Sequence, residues 1–172
     1  MPSKALELSK RRVLYQHILS NPGLHLRALG RHLRMGLGDL RYHLEYLERE
    51  GLVTTASDGY RKAYFPGRDQ FSGDKRMLGI LRQSRPRKML LVMLNRENTG
   101  FDELRKRIGV SKSTLSFHLK KLKEAGVISV EADAQRRTYR LCDKNKIAAL
   151  LITYRRSFLD SAVDRAVEAW LG

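Results

Sequence analysis

Lys112, Ser113, Ser116, Phe117 and Lys120 lie close together in one stretch, Ser111 to Ile128, which reads SKSTLSFHLKKLKEAGVI. Ammonium and hydroxyl groups donate to phosphate oxygens and to base edges, and an aromatic ring offers an apolar contact to a thymine methyl. That is the chemistry of reading nucleic acid, not of making or breaking bonds. Leu115, Leu119 and Leu122 recur at i, i+4 and i+7, so they share the opposite face of one helix, with His118 beside them. Ser111 suits the N-cap, because its hydroxyl can accept from a free backbone N–H of the first turn. Gly126 suits the left-handed position that ends a helix. Such a helix has the two faces that a major-groove reader needs, one to pack and one to present. An ordinary amphipathic surface helix has them as well, and this stretch alone does not separate the two.

The stretch occurs twice. Gly36 to Val53, GLGDLRYHLEYLEREGLV, aligns with it without a gap at an offset of 75. Leu40 matches Leu115, Tyr42 matches Phe117, His43 matches His118, Leu44 matches Leu119, Leu47 matches Leu122 and Gly51 matches Gly126. The register holds outward, from Ser9 with Ser84, Leu19 with Leu94 and Leu29 with Leu104 to Lys62 with Arg137 and Tyr64 with Tyr139. A repeat of this length implies two copies of one small domain and is too long for a solenoid unit. Each copy is small enough that its core is marginal and leans on a neighbour or a partner.

The whole chain of 172 residues has a formal net charge of +16 and a pI near 10.4. That bias points to nucleic acid first and to an anionic membrane surface second. One cysteine, Cys142, rules out an intramolecular disulfide and fits a reducing, cytoplasmic setting; it is expected to be a buried thiol. The opening MPSKALELSK lacks the apolar run of a signal peptide, and no stretch is apolar for long enough to span a membrane. His17, His25, His32, His43 and His118 show no spacing known for zinc, with each other, with Cys142 or with a carboxylate. No Walker loop, GxGxxG or HExxH occurs, so neither metal, cofactor nor enzymatic activity is expected. His43 and His118, on the inner side of their helices, are expected in the core or bonded to backbone, with direct phosphate contact as the alternative. Tyr60 and Tyr64 are expected to fill the core of a hairpin and not to stack on bases.

The periodicity predicts a mainly α fold with small β-hairpins. A first helix over 9–20 should bury Val13, Leu14, Ile18 and Leu19, and Asn21-Pro22-Gly23 should end it. A second helix over 27–34 buries Leu29 and Leu33. Met35 to Gly38 turn into a third over 39–50, followed by strands at 52–56 and 61–65 around an Asp58-Gly59 turn. Helix, helix, helix, hairpin is the winged helix–turn–helix plan. The second copy should have helices over 86–95, 102–108 and 111–125, then strands at 127–131 and 137–141 around a tip at 132–136. The domains read as 1–66, a linker and short connecting helix at 67–83, 84–143, and a C-terminal segment at 144–172. That last segment reads as one long helix, with or without a break. Its two apolar stripes (Ile147, Leu150, Leu151, Tyr154, Phe158 and Ala162; Leu159, Val163, Val167 and Leu171) cover a wide arc. The arc suits either homodimerisation or closure over the second copy, and the first is the expectation.

Three motifs carry a resemblance: N-P-G-x-H-L-x-x-L from Asn21, Y-H-L-x-x-L-x-x-x-G-L-V from Tyr42, and G-x-R-K-x-Y-F-P from Gly59. Over roughly residues 9–141 the chain resembles archaeal transcription regulators with tandem winged-helix domains. Its second copy is similar to ArsR- and MarR-type repressors. The resemblance implies double-stranded DNA as partner, commonly a dimer, with third helices in the major groove and wings on the backbone or minor groove. Carried onto this sequence, it implicates Lys112, Ser113, Ser116, Phe117 and Lys120, with Arg136 and Arg137 in the wing. In the first copy it implicates Gly38, Arg41 and Tyr42, with Arg61 and Lys62 in the wing. The copies are not equal. Residues 36–50 set Arg41 and Arg49 against Asp39, Glu45, Glu48 and Glu50, while 111–125 set Lys112, Lys120, Lys121 and Lys123 against Glu124 alone. Carboxylates facing phosphate repel it, so the second copy is expected to be the stronger reader. A chromatin-type binder without specificity and a protein-interaction adaptor stay open beside the regulator reading.

Overall fold

The computed structural model describes residues 8–57, 61–67, 74–132 and 137–171. It divides into two compact units, Met1–Arg82 and Gln83–Gly172. The first contains α1 (Ser9–Ser20), β1 (Leu24–His25), α2 (Leu26–Leu33), α3 (Leu37–Arg49), β2 (Val53–Ser57), β3 (Lys62–Pro66) and α4 (Lys75–Arg82). The second contains α5 (Ser84–Leu94), β4 (Thr99–Gly100), α6 (Phe101–Ile108), α7 (Lys112–Glu124), β5 (Ile128–Ala132), β6 (Arg137–Leu141), α8 (Lys144–Thr153), α9 (Arg155–Phe158) and α10 (Ser161–Leu171).

From β1 to β3 each element has a counterpart with the same bounds 75 residues on. The antiparallel sheets follow suit, in the orders β1-β3-β2 and β4-β6-β5. Tyr64 pairs with Leu24 and Thr55, and Tyr139 pairs with Thr99 and Val130. Both tyrosines are buried, so the hairpin is anchored to the helices by its middle strand. The tip residues Asp58, Gly59 and Tyr60, and 133–136 with Arg136, lie outside the described residues.

In the first unit Leu14, Ile18, Leu29, Leu40, Leu44 and Leu47 close one core. In the second, Leu90, Leu104, Leu115 and Leu122 occupy the corresponding interior. Leu115, Leu119 and Leu122 are buried as their spacing requires, and His43 and His118 are buried with them.

The third helix of the first unit begins at Leu37, two residues before the expected start, because Gly36 in extended conformation serves as its N-cap. α1 is rotated from its expected face. Arg11, Leu14, Tyr15 and Ile18 turn inward at i, i+3, i+4 and i+7, whereas Val13 is 51% and Leu19 38% exposed. Arg11 takes an apolar position because its guanidinium lies 3.7 Å over the Tyr46 ring, so the ring face replaces water. Residues 75–82, read as a connecting helix, pack into the first unit, with Met77, Leu78, Ile80 and Leu81 buried.

The C-terminal segment is broken twice, at Tyr154 and at Leu159, the latter with φ 51°. The turns fold most of its apolar stripes onto the second unit, burying Ile147, Leu151, Phe158, Val163 and Val167. Leu159 and Leu171 are left outside, at 82% and 68% exposure. Cys142 is exposed, contrary to expectation: it follows the last strand residue, where the chain leaves the sheet.

One position distinguishes the two helix–turn–helix bends. Arg34 ends α2 at φ 53°, where Gly109 ends α6 at φ 71°. A side chain in that region costs about 1–2 kcal/mol, partly offset by the entropy a glycine loses on folding. Arg34→Gly is therefore expected to stabilise the first unit by ~0.5–1 kcal/mol, read from urea unfolding; a loss of stability would contradict it.

Candidate nucleic-acid interface

The site in the second unit is built on α7. Ser111 Oγ accepts from the Thr114 N–H at 3.2 Å and also meets the Ser113 and Thr114 hydroxyls at 3.0 and 2.9 Å. That cap fixes where the helix starts and so which side chains face out. Gly126, at φ 70°, stops it and sends the chain into β5. Lys112, Ser113, Ser116, Phe117, Lys120 and Lys123 are exposed, and the Phe117 ring is 51% accessible. Ser116, Lys120 and Lys123 share a groove of about 600 Å³ with Arg137 on β6 and with Phe101, Val130 and Tyr139. Of the residues that the sequence pointed to, Ser116, Lys120 and Arg137 are thus brought together. Lys112, Ser113 and Phe117 present from the same helix beyond the groove lining. Lys123 was not singled out; its signal was the spacing of three from Lys120, which puts both on one face.

The matching surface of the first unit carries the opposite sign. At the positions of Lys120 and Lys123, α3 has Glu45 and Glu48, and at that of Lys112 it has Leu37. Gly38, Arg41 and Tyr42 are exposed, as are Arg61 and Lys62 of the wing. Lys62, however, lies 3.1 Å from a Glu48 carboxylate oxygen, so part of the wing's charge is spent inside the unit. Asp39 is bound by Lys10 at 2.6 Å and approached by His43 Nε2 at 3.0 Å. The Lys10 hydrogen bond above all holds the Asp39 carboxyl below its ordinary value. On α7 the only carboxylate, Glu124, stands 3.9 Å from Lys120 and 3.7 Å from Lys121, loose pairs that leave the Lys120 ammonium group exposed to water.

Burial, with a smaller effect of Arg85, pushes the His118 pKa down, in keeping with the ring's place beside the leucines of the core. His17 is pushed down as well, by burial first and then by His32 and Arg82. Its Nε2 lies 3.1 Å from His32 Nδ1 in a single ring–ring hydrogen bond. Among the described residues no group of three or more His, Cys, Asp or Glu could hold a metal ion. No helix among them is long and apolar enough to cross a membrane.

Comparison with known proteins assigns both halves. Residues 8–78 match the family model of an N-terminal HTH domain, and residues 85–130 match that of the arsR family of bacterial regulatory proteins. The chain carries two winged helix–turn–helix domains in tandem, and each is matched by a helix–turn–helix family model. This helix–turn–helix protein is 29% identical over 136 residues to an uncharacterized HTH-type transcriptional regulator of Methanocaldococcus jannaschii. The match takes in 79% of the chain and 34% of that relative, so the chain spans about a third of the relative's length. Among solved structures, HlyU from Vibrio cholerae is 26% identical, with 46% of this chain and 86% of that one covered and a TM-score of 0.41. The transcriptional repressor BigR from Xylella fastidiosa is 21% identical, with 46% and 81% covered and a TM-score of 0.42.

Proposed function

We propose that the protein is a sequence-specific regulator that binds double-stranded DNA chiefly through its second unit. On this reading α7 lies in the major groove. Lys112, Lys120 and Lys123 neutralise phosphates, while Ser113, Ser116 and Phe117 meet base edges. Arg137 and Arg136 of the wing hold the backbone or the minor groove. The observation that carries the reading is the groove in which Ser116, Lys120, Lys123 and Arg137 face one another beside a helix whose other face is core. The two family matches favour the same class of function. A place on the nucleoid follows from that role.

Selection of bound duplexes from a random-sequence pool, followed by footprinting, tests it. The expected result is a recovered consensus protected over about one turn of major groove per reading helix. Recovery of the input distribution would leave charge alone as the cause of binding and favour the chromatin-type alternative.

For the first unit, Gly38, Arg41, Tyr42, Arg61 and Lys62 form the weaker DNA contact. Glu45 and Glu48 on α3 also favour a second reading, in which this unit docks on protein. Arg41→Glu is therefore expected to change DNA affinity by no more than about threefold. Pairing of two chains is proposed through the C-terminal segment, supported by Ile152, Leu159 and Leu171, which remain exposed although Ile147, Leu150, Leu151, Phe158, Val163 and Val167 are buried. Sedimentation equilibrium with Leu159→Lys checks this; an unchanged dimer would move the interface elsewhere.

A further inference from the structure

In the second unit, α10 lies beside α5 and α6 and the three helices leave an open cavity of about 450 Å³. Sites for small organic ligands span roughly 300–1,000 Å³. Ala162, Ala166 and Ala169 line it from α10 at i, i+4 and i+7, and Leu91 and Val92 line it from α5. Short side chains on one face of α10 keep this floor apolar and unfilled. Around it stand four cations, Lys88, Arg96, Arg107 and Arg165, all exposed. One Glu103 oxygen lies 3.1 Å from Arg96 and 3.2 Å from Arg107, so a single carboxylate holds two guanidinium groups side by side. It offsets one of the four charges and leaves an excess over an apolar floor. The cavity shares no residue with the groove at α7.

We propose that this cavity binds an organic phosphate with an apolar body. Adjacent guanidinium groups match the oxygens of a phosphate in bidentate fashion, which a neutral or cationic ligand would not use. A DNA backbone would satisfy the cations and leave the alanine floor idle. A second copy packed on this face about a two-fold axis would set the four cations against their own images. Arg107 and Ile108 end α6, and Gly109 then leads to the Ser111 cap, so an occupant lies against the bend that aims α7. The binding itself does not depend on the DNA reading.

The test is calorimetric titration of the full chain, without DNA, using octyl phosphate as the probe. Saturable binding of one probe per chain is expected below about 1 mM, with inorganic phosphate and octanol each at least about tenfold weaker. Arg165→Glu, at an exposed position, and Ala166→Phe, which fills the floor, should each weaken binding about tenfold or more, while Arg31→Glu in the first unit should not. Circular dichroism checks that each variant folds, and Arg165→Glu stays decisive if Ala166→Phe does not. The proposal is overturned if binding fails to saturate. It is overturned equally if the cavity variants bind like the unaltered chain, which marks adsorption. It also falls if the probe does not bind while Ala166→Phe converts a dimer to monomer, which gives the cavity to a second copy.

Discussion

Reversing Lys112 and Lys120 together to glutamate should weaken binding to duplex DNA by about a hundredfold at low salt. Each lysine that neutralises a phosphate releases about one counterion, so losing both should flatten the dependence of log K on log salt by about two. Replacement by carboxylate adds repulsion to that loss. The two side chains sit on the exposed face of a helix whose other face is core, so the substitutions leave Leu115, Leu119 and Leu122 in place. The unaltered melting curve of the variant is the control. Arg41→Glu on α3 changes a surface already carrying Glu45 and Glu48 and should matter far less. Losses of equal size at the two helices would show that both units read DNA alike, and would refute the unequal division of labour.

A larger effect on stability is expected at Asp160. One of its oxygens receives Arg87 Nε at 2.8 Å and Nη2 at 2.6 Å, and the other accepts the Ala162 N–H at 3.0 Å at the start of α10. Arg87 and Asp160 side chains are 8% and 15% exposed, and the guanidinium lies 5.4 Å over the Phe158 ring. One carboxylate therefore caps α10 and fixes the C-terminal segment to α5. Asp160→Ala removes the cap and leaves a buried cation without its carboxylate, at a cost of about 3 kcal/mol. For a unit of this size the melting temperature should fall by more than about 10 °C. Burial raises the Asp160 pKa, yet the bonds from Arg87 and Ala162 outweigh it and hold it below the ordinary carboxylate value. The stabilisation from a depressed pKa is complete above the unfolded value, about 4, and is lost as pH falls through the folded one. The stability difference between unaltered chain and Asp160→Asn should accordingly be constant from about pH 5 to 8 and shrink below about pH 4. A difference that stayed constant into acid would mean that the ion pair is not what holds the segment.

The parts of this fold that were legible in the sequence are those governed by local rules. The leucine ladders of α3 and α7, the Ser111 cap, the Gly126 stop and the presence of two hairpins follow from spacing and residue type, whereas the strand register does not: Ser57 pairs with Lys62 across a four-residue connection and not around a two-residue Asp58-Gly59 turn. The repeat made each reading twice over, because an element had to fit both copies. What escaped was set by tertiary neighbours. Arg11 displaces Val13 from the buried face of α1 only because Tyr46 supplies an aromatic surface for its guanidinium. The second break in the C-terminal segment falls at Leu159, whose left-handed conformation no propensity favours. It is accepted where Asp160 can reach Arg87, 73 residues away in sequence, a contact no window of local pattern contains. At the site, residue types marked α7, and the fold added Lys123 and the groove with Arg137. The withdrawal of Lys62 into a pair with Glu48 depended on the wing's return to α3.

The most direct test of the central claim is an equilibrium titration of the full chain on a selected duplex and on its scrambled counterpart at two salt concentrations. A regulator that reads bases through α7 should prefer the selected duplex by about 10³ or more, and keep that ratio while both affinities fall with salt. Equal affinity for the two duplexes, collapsing together as salt rises, would contradict sequence-specific reading and leave the protein's positive charge as the whole cause of binding.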